Sequence, residues 1–283
     1  MKVAALQMVS TCSLLANLAA ARDLLAQAAA EGAELAVLPE YFCLLGQRDT
    51  DKLAIQERAG AGPIQDFLAQ TARDCALWIV AGTLPLTPAD AAATATATAT
   101  ASDARVFNSS LVYDPDGRCV ARYDKMHLFR FDNGQERYDE SRVLRPGLQP
   151  VRFELPSRDG HLWRVGLSVC YDLRFPELYR DQARAGTDLL LVPSAFTHTT
   201  GQSHWEILLR ARAIENLAYV AAAAQGGLHQ NGRRTWGHSM LIDPWGQILA
   251  EHAQGPACVS SELDMDRLLA ARSRLPALGH RVL

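Results

Sequence analysis

The chain has 283 residues, of which 48% are hydrophobic, and its 28 basic and 31 acidic residues give a formal net charge of −3. This balance argues against a nucleic-acid-binding surface, so we expect a small-molecule partner. No run of about 20 apolar residues could span a bilayer, and polar residues interrupt the start too early for a secretory signal. We therefore expect a soluble, cytoplasmic protein with no membrane partner.

The first half of the chain alternates between predicted strands and helices. Short apolar runs bounded by turn residues predict buried parallel strands, and apolar residues at helical spacing predict the helices between them. In chain order, the predicted elements are a strand at 3–8, a helix at 14–31, a strand at 35–38, a helix at 64–75, a strand at 78–82 and a hairpin turn at 114–117.

The second half repeats this order and also ends in an Asp-Pro-x-Gly hairpin. Its predicted elements are a strand at 163–169, a helix at 176–185, a strand at 189–192, a helix at 204–215, a strand at 218–224 and a hairpin turn at 243–246. Two such halves can pack sheet against sheet with helices outside, which gives a four-layer α-β-β-α sandwich. One doubly wound sheet is the alternative, and periodicity does not separate the two.

No linker divides the chain, so we expect a single domain over residues 1–283. An alternating Ala/Thr tract within residues 87–103 has nothing large to bury, and it predicts a flexible loop inserted between two strands.

Three polar residues stand where strands are predicted to end or to have just ended. Cys170 follows a strand and precedes a helical segment, whose dipole would favour the thiolate and make this residue a candidate nucleophile. Glu40 follows the strand at 35–38 and could accept the thiol proton. Lys125 lies between apolar neighbours and could stabilise an oxyanion. Taken singly, each also fits a structural role: a core thiol, a capping or surface carboxylate and a Lys with its ammonium in water.

The segments around these residues resemble the three signature blocks of the nitrilase superfamily of carbon–nitrogen hydrolases. The blocks are Leu38-Pro39-Glu40, Lys125-Met126-His127-Leu128-Phe129 and Val169-Cys170-Tyr171-Asp172. Flanking segments that share the resemblance are 193–196, 199–201, 204–206, 210–215 and 236–240. The resemblance implies a Glu-Lys-Cys triad on a four-layer α-β-β-α sandwich, a homodimer packed through helices, and no metal or organic cofactor. The histidine spacing likewise fits no zinc pattern.

The resemblance also implies a second catalytic carboxylate. Glu140 matches this position best, because Glu140-Ser141 leads to Pro146-Gly147, and Glu136 is the competing candidate. In the implied mechanism the backbone N–H of Tyr171 joins Lys125 in holding the oxyanion.

Three further residues are candidates for substrate binding. Arg174 follows Cys170 by about one helical turn and could clamp a carboxylate, although an ion pair with Glu177 or Asp172 is an equal alternative. Thr199 and Thr200 offer hydroxyl donors in a region that similar family members use for 2-oxo-dicarboxylates. We therefore expect a carboxylated amide as substrate.

Within the superfamily, the segments 172–178 and 226–229 most resemble deaminated glutathione amidases. The implied reaction cleaves the amide of deaminated glutathione to 2-oxoglutarate and cysteinylglycine. An omega-amidase acting on 2-oxoglutaramate or 2-oxosuccinamate is the nearest alternative. Another small amide or nitrile hydrolase, or a catalytically silent binding subunit, is a more distant one.

Overall fold

The computed structural model describes residues 1–89 and 105–282. Most of the Ala/Thr tract, for which the sequence predicts a loop insertion, lies outside the described residues.

The elements of the first half closely follow the predicted order. They are β1 (Lys2–Gln7), α1 (Leu14–Ala30), β2 (Leu35–Val37), α2 (Pro63–Cys75), β3 (Trp78–Val80), β4 (Leu84–Leu86), β5 (Val106–Tyr113), β6 (Cys119–Asp124), β7 (Arg130–Asp132), β8 (Arg137–Asp139) and β9 (Leu144–Arg145). Short 3-10 helices cover Asp49–Ile55 and Glu140–Arg142.

The second half contains the remaining elements. They are β10 (Arg152–Pro156), β11 (Leu162–Leu167), α3 (Pro176–Arg184), β12 (Leu189–Leu191), α4 (His198–Asn216), β13 (Tyr219–Ala222), β14 (Gly226–Leu228), β15 (Arg234–Trp236), β16 (Ser239–Ile242), β17 (Ile248–His252), β18 (Ala257–Glu262) and α5 (Met265–Arg274). A 3-10 helix at Cys170–Arg174 joins β11 to α3.

The strands form two large sheets, each built mainly from one half of the chain. The first has the strand order β18-β1-β2-β3-β5-β4, with β6 and β9 also paired to β5, and the second has the order β10-β11-β12-β13-β16-β17. The strands β1 to β3 and β11 to β13 run parallel, as their short apolar sequences predict. Two separate sheets exclude the doubly wound alternative and confirm the predicted α-β-β-α sandwich.

The side chains of the first sheet divide between two hydrophobic cores. Val3 and Leu35 pack in one core with residues of the second sheet, such as Val165 and Leu189. Neighbouring residues on the same strands, which point to the opposite face, pack with α1 and α2 in the other core. The main core is therefore the layer between the two sheets. The polar residues that follow the central strands lie at the edge of this layer.

The helix α4 begins six residues earlier than the sequence pattern predicts. The hydroxyl of Thr197 accepts a hydrogen bond from the backbone N–H of Thr200, and this N-cap starts the helix at His198. As a result, Thr199 and Thr200 belong to the first turn of α4.

The last strand in the chain, β18, belongs to the first sheet. The strand β18 pairs antiparallel with β1, so that Lys2 lies opposite Glu262 and Gln7 opposite Ala257. Within residues 1–89 and 105–282, no helix is both long enough and apolar enough to cross a membrane.

Candidate active site

Glu40 lies three residues beyond the end of β2, in a turn that packs tightly against the end of β3. Gly82 makes this approach possible, because it has a φ of 51° and an added Cβ would lie 2.0 Å from the carbonyl oxygen of Pro39. Glu40 is 1% exposed. Its carboxylate is therefore fixed at the carboxyl edge of the first sheet, where α/β proteins place their ligands.

Lys125 follows β6 and brings two carboxylates together. Its Nζ lies 2.9 Å from Oε1 of Glu40, and 3.0 and 2.8 Å from Oε1 and Oε2 of Glu140. Burial alone would lower the pKa of Lys125, but Glu140 and Glu40 raise it well above its usual value. Burial likewise opposes ionisation of Glu140, yet Lys125 holds the pKa of that carboxyl below its usual range. The ammonium and the Glu140 carboxylate are thus both charged.

Four further groups donate hydrogen bonds to these two carboxylates. Glu40 accepts hydrogen bonds from Nδ2 of Asn108 at 2.9 Å and from the backbone N–H of Ala195 at 3.0 Å. Glu140 accepts from the hydroxyl of Tyr41 at 2.8 Å and from the backbone N–H of Phe129 at 2.7 Å. Sequence reasoning missed all four donors. The only indication of them in the sequence was the Asn within the predicted strand region that forms β5.

Cys170 occupies a sharp turn after β11. Its backbone has a φ of 49°, and its N–H donates to the carbonyl of Pro193 at 3.0 Å, which anchors the turn beside the end of β12. Burial raises the pKa of the Cys170 thiol well above its usual value, Glu40 and Glu140 raise it further, and Lys125 only partly opposes them. The expectation that a helix dipole favours the thiolate is therefore wrong for the resting site. The helix α3 begins only at Pro176, and burial outweighs its dipole.

A buried carboxylate ties the turn of Cys170 to the loop of Lys125. Asp172 accepts hydrogen bonds from the hydroxyl of Tyr123 at 2.7 Å and from the backbone N–H groups of His127 and Val169 at 3.0 and 2.8 Å. Its Oδ1 also lies 2.7 Å from Nδ1 of His127. One side chain thus fixes the relative positions of the two halves of the site.

Cys170 opens into a cavity of about 210 Å³, counted with its mouth to solvent. The lining residues are Phe129, Cys170, Tyr171, Arg174, Ala195, Phe196, Thr197 and Thr200. The guanidinium of Arg174 lies 5.7 and 5.4 Å from the ring centroids of Tyr171 and Phe196, and 3.3 Å from Nδ1 of His204. Among the described residues it forms neither of the ion pairs that were the alternative to carboxylate binding.

The other sequence candidates differ in position. The N–H of Tyr171 lies in the first turn of a 3-10 helix, where such groups have no intrahelical acceptor. Thr200 lines the Cys170 cavity, whereas Thr199 does not, and its hydroxyl instead donates to Glu136 at 3.0 Å. Glu136, the competitor of Glu140, therefore contacts α4 rather than Lys125.

Comparisons with known proteins extend these observations. A family model described as carbon–nitrogen hydrolase matches residues 2–273. The chain is 42% identical over 281 residues to a deaminated glutathione amidase of Synechocystis, covering 99% of this chain and 97% of that protein. It is 37% identical to the deaminated glutathione amidase of Homo sapiens, covering 99% and 81%. The crystal structure of Saccharomyces cerevisiae Nit3, a member of branch 10 of the nitrilase superfamily, matches with a TM-score of 0.83 at 28% identity, covering 98% and 94%.

Proposed function

The chain belongs to the carbon–nitrogen hydrolase family, and we propose that it hydrolyses the amide of deaminated glutathione to 2-oxoglutarate and cysteinylglycine. It is an amide-hydrolysing enzyme. The observation that carries the choice of substrate is the 42% identity to the Synechocystis amidase, which extends over nearly the full length of both chains.

The first half of the proposed reaction forms a thioester. Glu40 takes the proton of the Cys170 thiol, and the thiolate attacks the amide carbon. The raised pKa of the thiol supports a role for a general base, since the resting residue carries its proton. The ammonium of Lys125 and the backbone N–H of Tyr171 hold the oxyanion that develops. Glu40 then returns the proton to the departing amine.

The second half releases the acid. Glu40 accepts a proton from water as that water attacks the thioester, and collapse of the second oxyanion expels the thiolate, which recovers its proton. Glu140 keeps Lys125 charged and in position throughout, a role supported by its contacts of 3.0 and 2.8 Å with Nζ. These steps use only groups of the protein and water.

We assign the acyl side of the substrate to the cavity at Cys170. Arg174 supplies a guanidinium fork without an acidic partner among the described residues, which suits a 2-oxo acid carboxylate. Thr200 adds a hydroxyl on the same wall, and Phe129 and Phe196 cover the carbon chain. Thr199 acts from outside the cavity, through its bond to Glu136.

We also propose a homodimer packed through helices. The large apolar side chains of Ile207 and Ile214 on α4 are 70% and 47% exposed, which supports this helix as part of the contact. Sedimentation equilibrium of the wild type tests the assembly, and a monomer at micromolar concentration would contradict it.

The activity is tested by steady-state assays on deaminated glutathione and 2-oxoglutaramate, with Cys170→Ala as the blank. We expect a higher kcat/KM for deaminated glutathione. A preference for 2-oxoglutaramate would instead identify an omega-amidase, and activity on neither would leave only the general amidase assignment.

A further inference from the structure

A second cleft lies beside Tyr41, whose hydroxyl contacts Glu140. The residues that line it are Tyr41, Leu44, Leu45, Gly46, Arg48, Asp49, Lys52 and Arg233. Counted with its opening to solvent, the space measures about 280 Å³. We call this space the Lys52 cleft.

The residues that line the Lys52 cleft carry a net positive charge. Three cations, Arg48, Lys52 and Arg233, face a single carboxylate, Asp49. The ammonium of Lys52 lies 4.6 Å from the ring centroid of Tyr41, and the guanidinium of Arg233 lies 5.0 Å from that of Tyr138. Over residues 1–89 and 105–282, neither cation has a carboxylate within ion-pair distance. Lys52 lies over the ring of Tyr41, and Arg233 contacts Tyr138 through the ring and a hydrogen bond, so neither charge is balanced by a direct ion pair.

Burial adds to the case for an anionic ligand. It lowers the pKa of the half-buried Lys52; Glu140 and Asp49 oppose this effect, and Arg233 adds to it. A carboxylate that entered between the two cations would stabilise both charges. Glu40 and Glu140 act on Lys52 only from a distance, since their direct ion pairs are with Lys125.

The cleft also adjoins the catalytic carboxylates through Tyr41. Tyr41 links the two sites, because its hydroxyl donates to Glu140 and its ring supports Lys52. In the proposed mechanism the leaving nitrogen receives its proton from Glu40, beside Lys125 and Glu140. A leaving group of two residues spans at most about 7 Å from this nitrogen to its carboxylate. Tyr41 makes the two sites neighbours, since its hydroxyl lies 2.8 Å from Oε1 of Glu140 and its ring centroid 4.6 Å from Nζ of Lys52.

We propose that Lys52 and Arg233 bind the terminal carboxylate of the leaving dipeptide, with Leu44 and Leu45 packing against its first side chain. This inference rests on the proposed function, and it names the specificity determinant on the amine side of the site. An omega-amidase releases ammonia and has no use for such a subsite. The Lys52 cleft thus favours amides that carry one carboxylate at each end.

The test compares two substrates that share an acyl group and differ in the amine. For wild type, Lys52→Gln and Arg233→Gln, kcat/KM is measured on deaminated glutathione and on 2-oxoglutaramate. We expect the ratio of the two values to fall by about 10- to 100-fold in each variant, the usual effect of losing a hydrogen bond to a charged group. Arg234→Gln, an exposed neighbour, is the matched control and keeps the wild-type ratio.

A change in the substrate makes the test specific for the carboxylate. Deaminated glutathione whose glycine carboxylate is replaced by a carboxamide should lose a similar factor with the wild type, and much less with Lys52→Gln. Lys52→Arg should retain most of the wild-type ratio, which separates loss of charge from misfolding.

Two results would overturn the subsite. One is wild-type kcat/KM on both substrates in both variants, and the other is an equal loss on both substrates, which leaves the ratio unchanged and would assign the cations to the acyl side. Failure of the proposed function has a different signature: the wild type itself would show no preference for deaminated glutathione over 2-oxoglutaramate.

Discussion

The two halves of the chain contribute to one site but hold their polar side chains in different ways. In the first half, every carboxylate oxygen of Glu40 and Glu140 already has a hydrogen-bond donor. In the second half, Cys170 and Arg174 face a cavity whose lining includes the aromatic rings of Tyr171 and Phe196. The first half is therefore preorganised to handle protons and charge, and the second leaves space for the substrate. Changes in the first half should mainly lower kcat, and changes around the cavity should mainly raise KM.

The nucleophile is the exception that links the halves, and it gives the largest expected effect. Cys170→Ala should lower kcat by about 10⁴-fold or more, because the covalent route disappears. Steady-state assays on the preferred amide measure this loss. Cys119→Ala, which removes an exposed thiol, is the control and should match the wild type. Turnover retained by Cys170→Ala would remove Cys170 from the mechanism.

The preorganised half is tested by exchanging one of its carboxylates for an amide. Glu140→Gln should lower kcat by about 10²- to 10³-fold with a smaller effect on KM, because Lys125 loses the charge that keeps it ionised and oriented. Glu136→Gln is the matched control, since Glu136 bonds Thr199 and not Lys125. A larger loss in Glu136→Gln would reverse the choice between the two carboxylates.

The cavity half is tested by Arg174→Lys, which keeps the charge and removes the planar fork. We expect KM for carboxylated amides to rise by about 5- to 150-fold, equivalent to roughly 1–3 kcal/mol of lost binding, with kcat changed much less. Arg118→Lys is the control, because Arg118 is exposed and pairs with Asp114 and Asp116 in a hairpin turn. An unchanged KM would show that Arg174 does not bind the carboxylate.

The smallest expected effect concerns the ionisation of the Cys170 thiol. It distinguishes a pKa raised by burial from a pKa lowered by a helix dipole. With a raised pKa, the thiolate fraction of Cys170 should grow about tenfold for each pH unit through neutral pH and up to the folded-state pKa. The rate of iodoacetamide labelling, followed by mass spectrometry of the Cys170 peptide, should therefore still be rising near about pH 9. A plateau below about pH 8 would contradict the raised pKa.

Local patterns in the sequence predicted much of the fold and the residues proposed to perform the catalysis. The apolar runs that became β2 and β12 predicted buried parallel strands, and the similar order of the two halves suggested two sheets. Glu40, Lys125 and Cys170 drew attention because each lies at or just beyond the end of a predicted strand. The early start of α4 was missed, since the capping role of Thr197 depends on a single side-chain contact.

The remaining features depend on residues that are distant in the chain. Asn108 and the N–H of Ala195 reach Glu40 across separations of 68 and 155 residues, and Tyr41 reaches Glu140 across 99. No local sequence pattern indicates which distant residues form such contacts. The prediction that the helix end favours the thiolate of Cys170 was wrong for the same reason. Burial raises the pKa of this thiol, and burial is a property of the assembled sandwich.

The pairing of β18 with β1 has a consequence for biosynthesis. When β1 leaves the ribosome, the strand that will cover its free edge has not been made, and residues 257–262 follow only after both sheets are otherwise synthesised. Until then the edge of β1 is an open template for pairing with other chains. A nascent or prematurely terminated chain is thus exposed to aggregation along this edge, and emergence of β18 marks the point at which the risk ends.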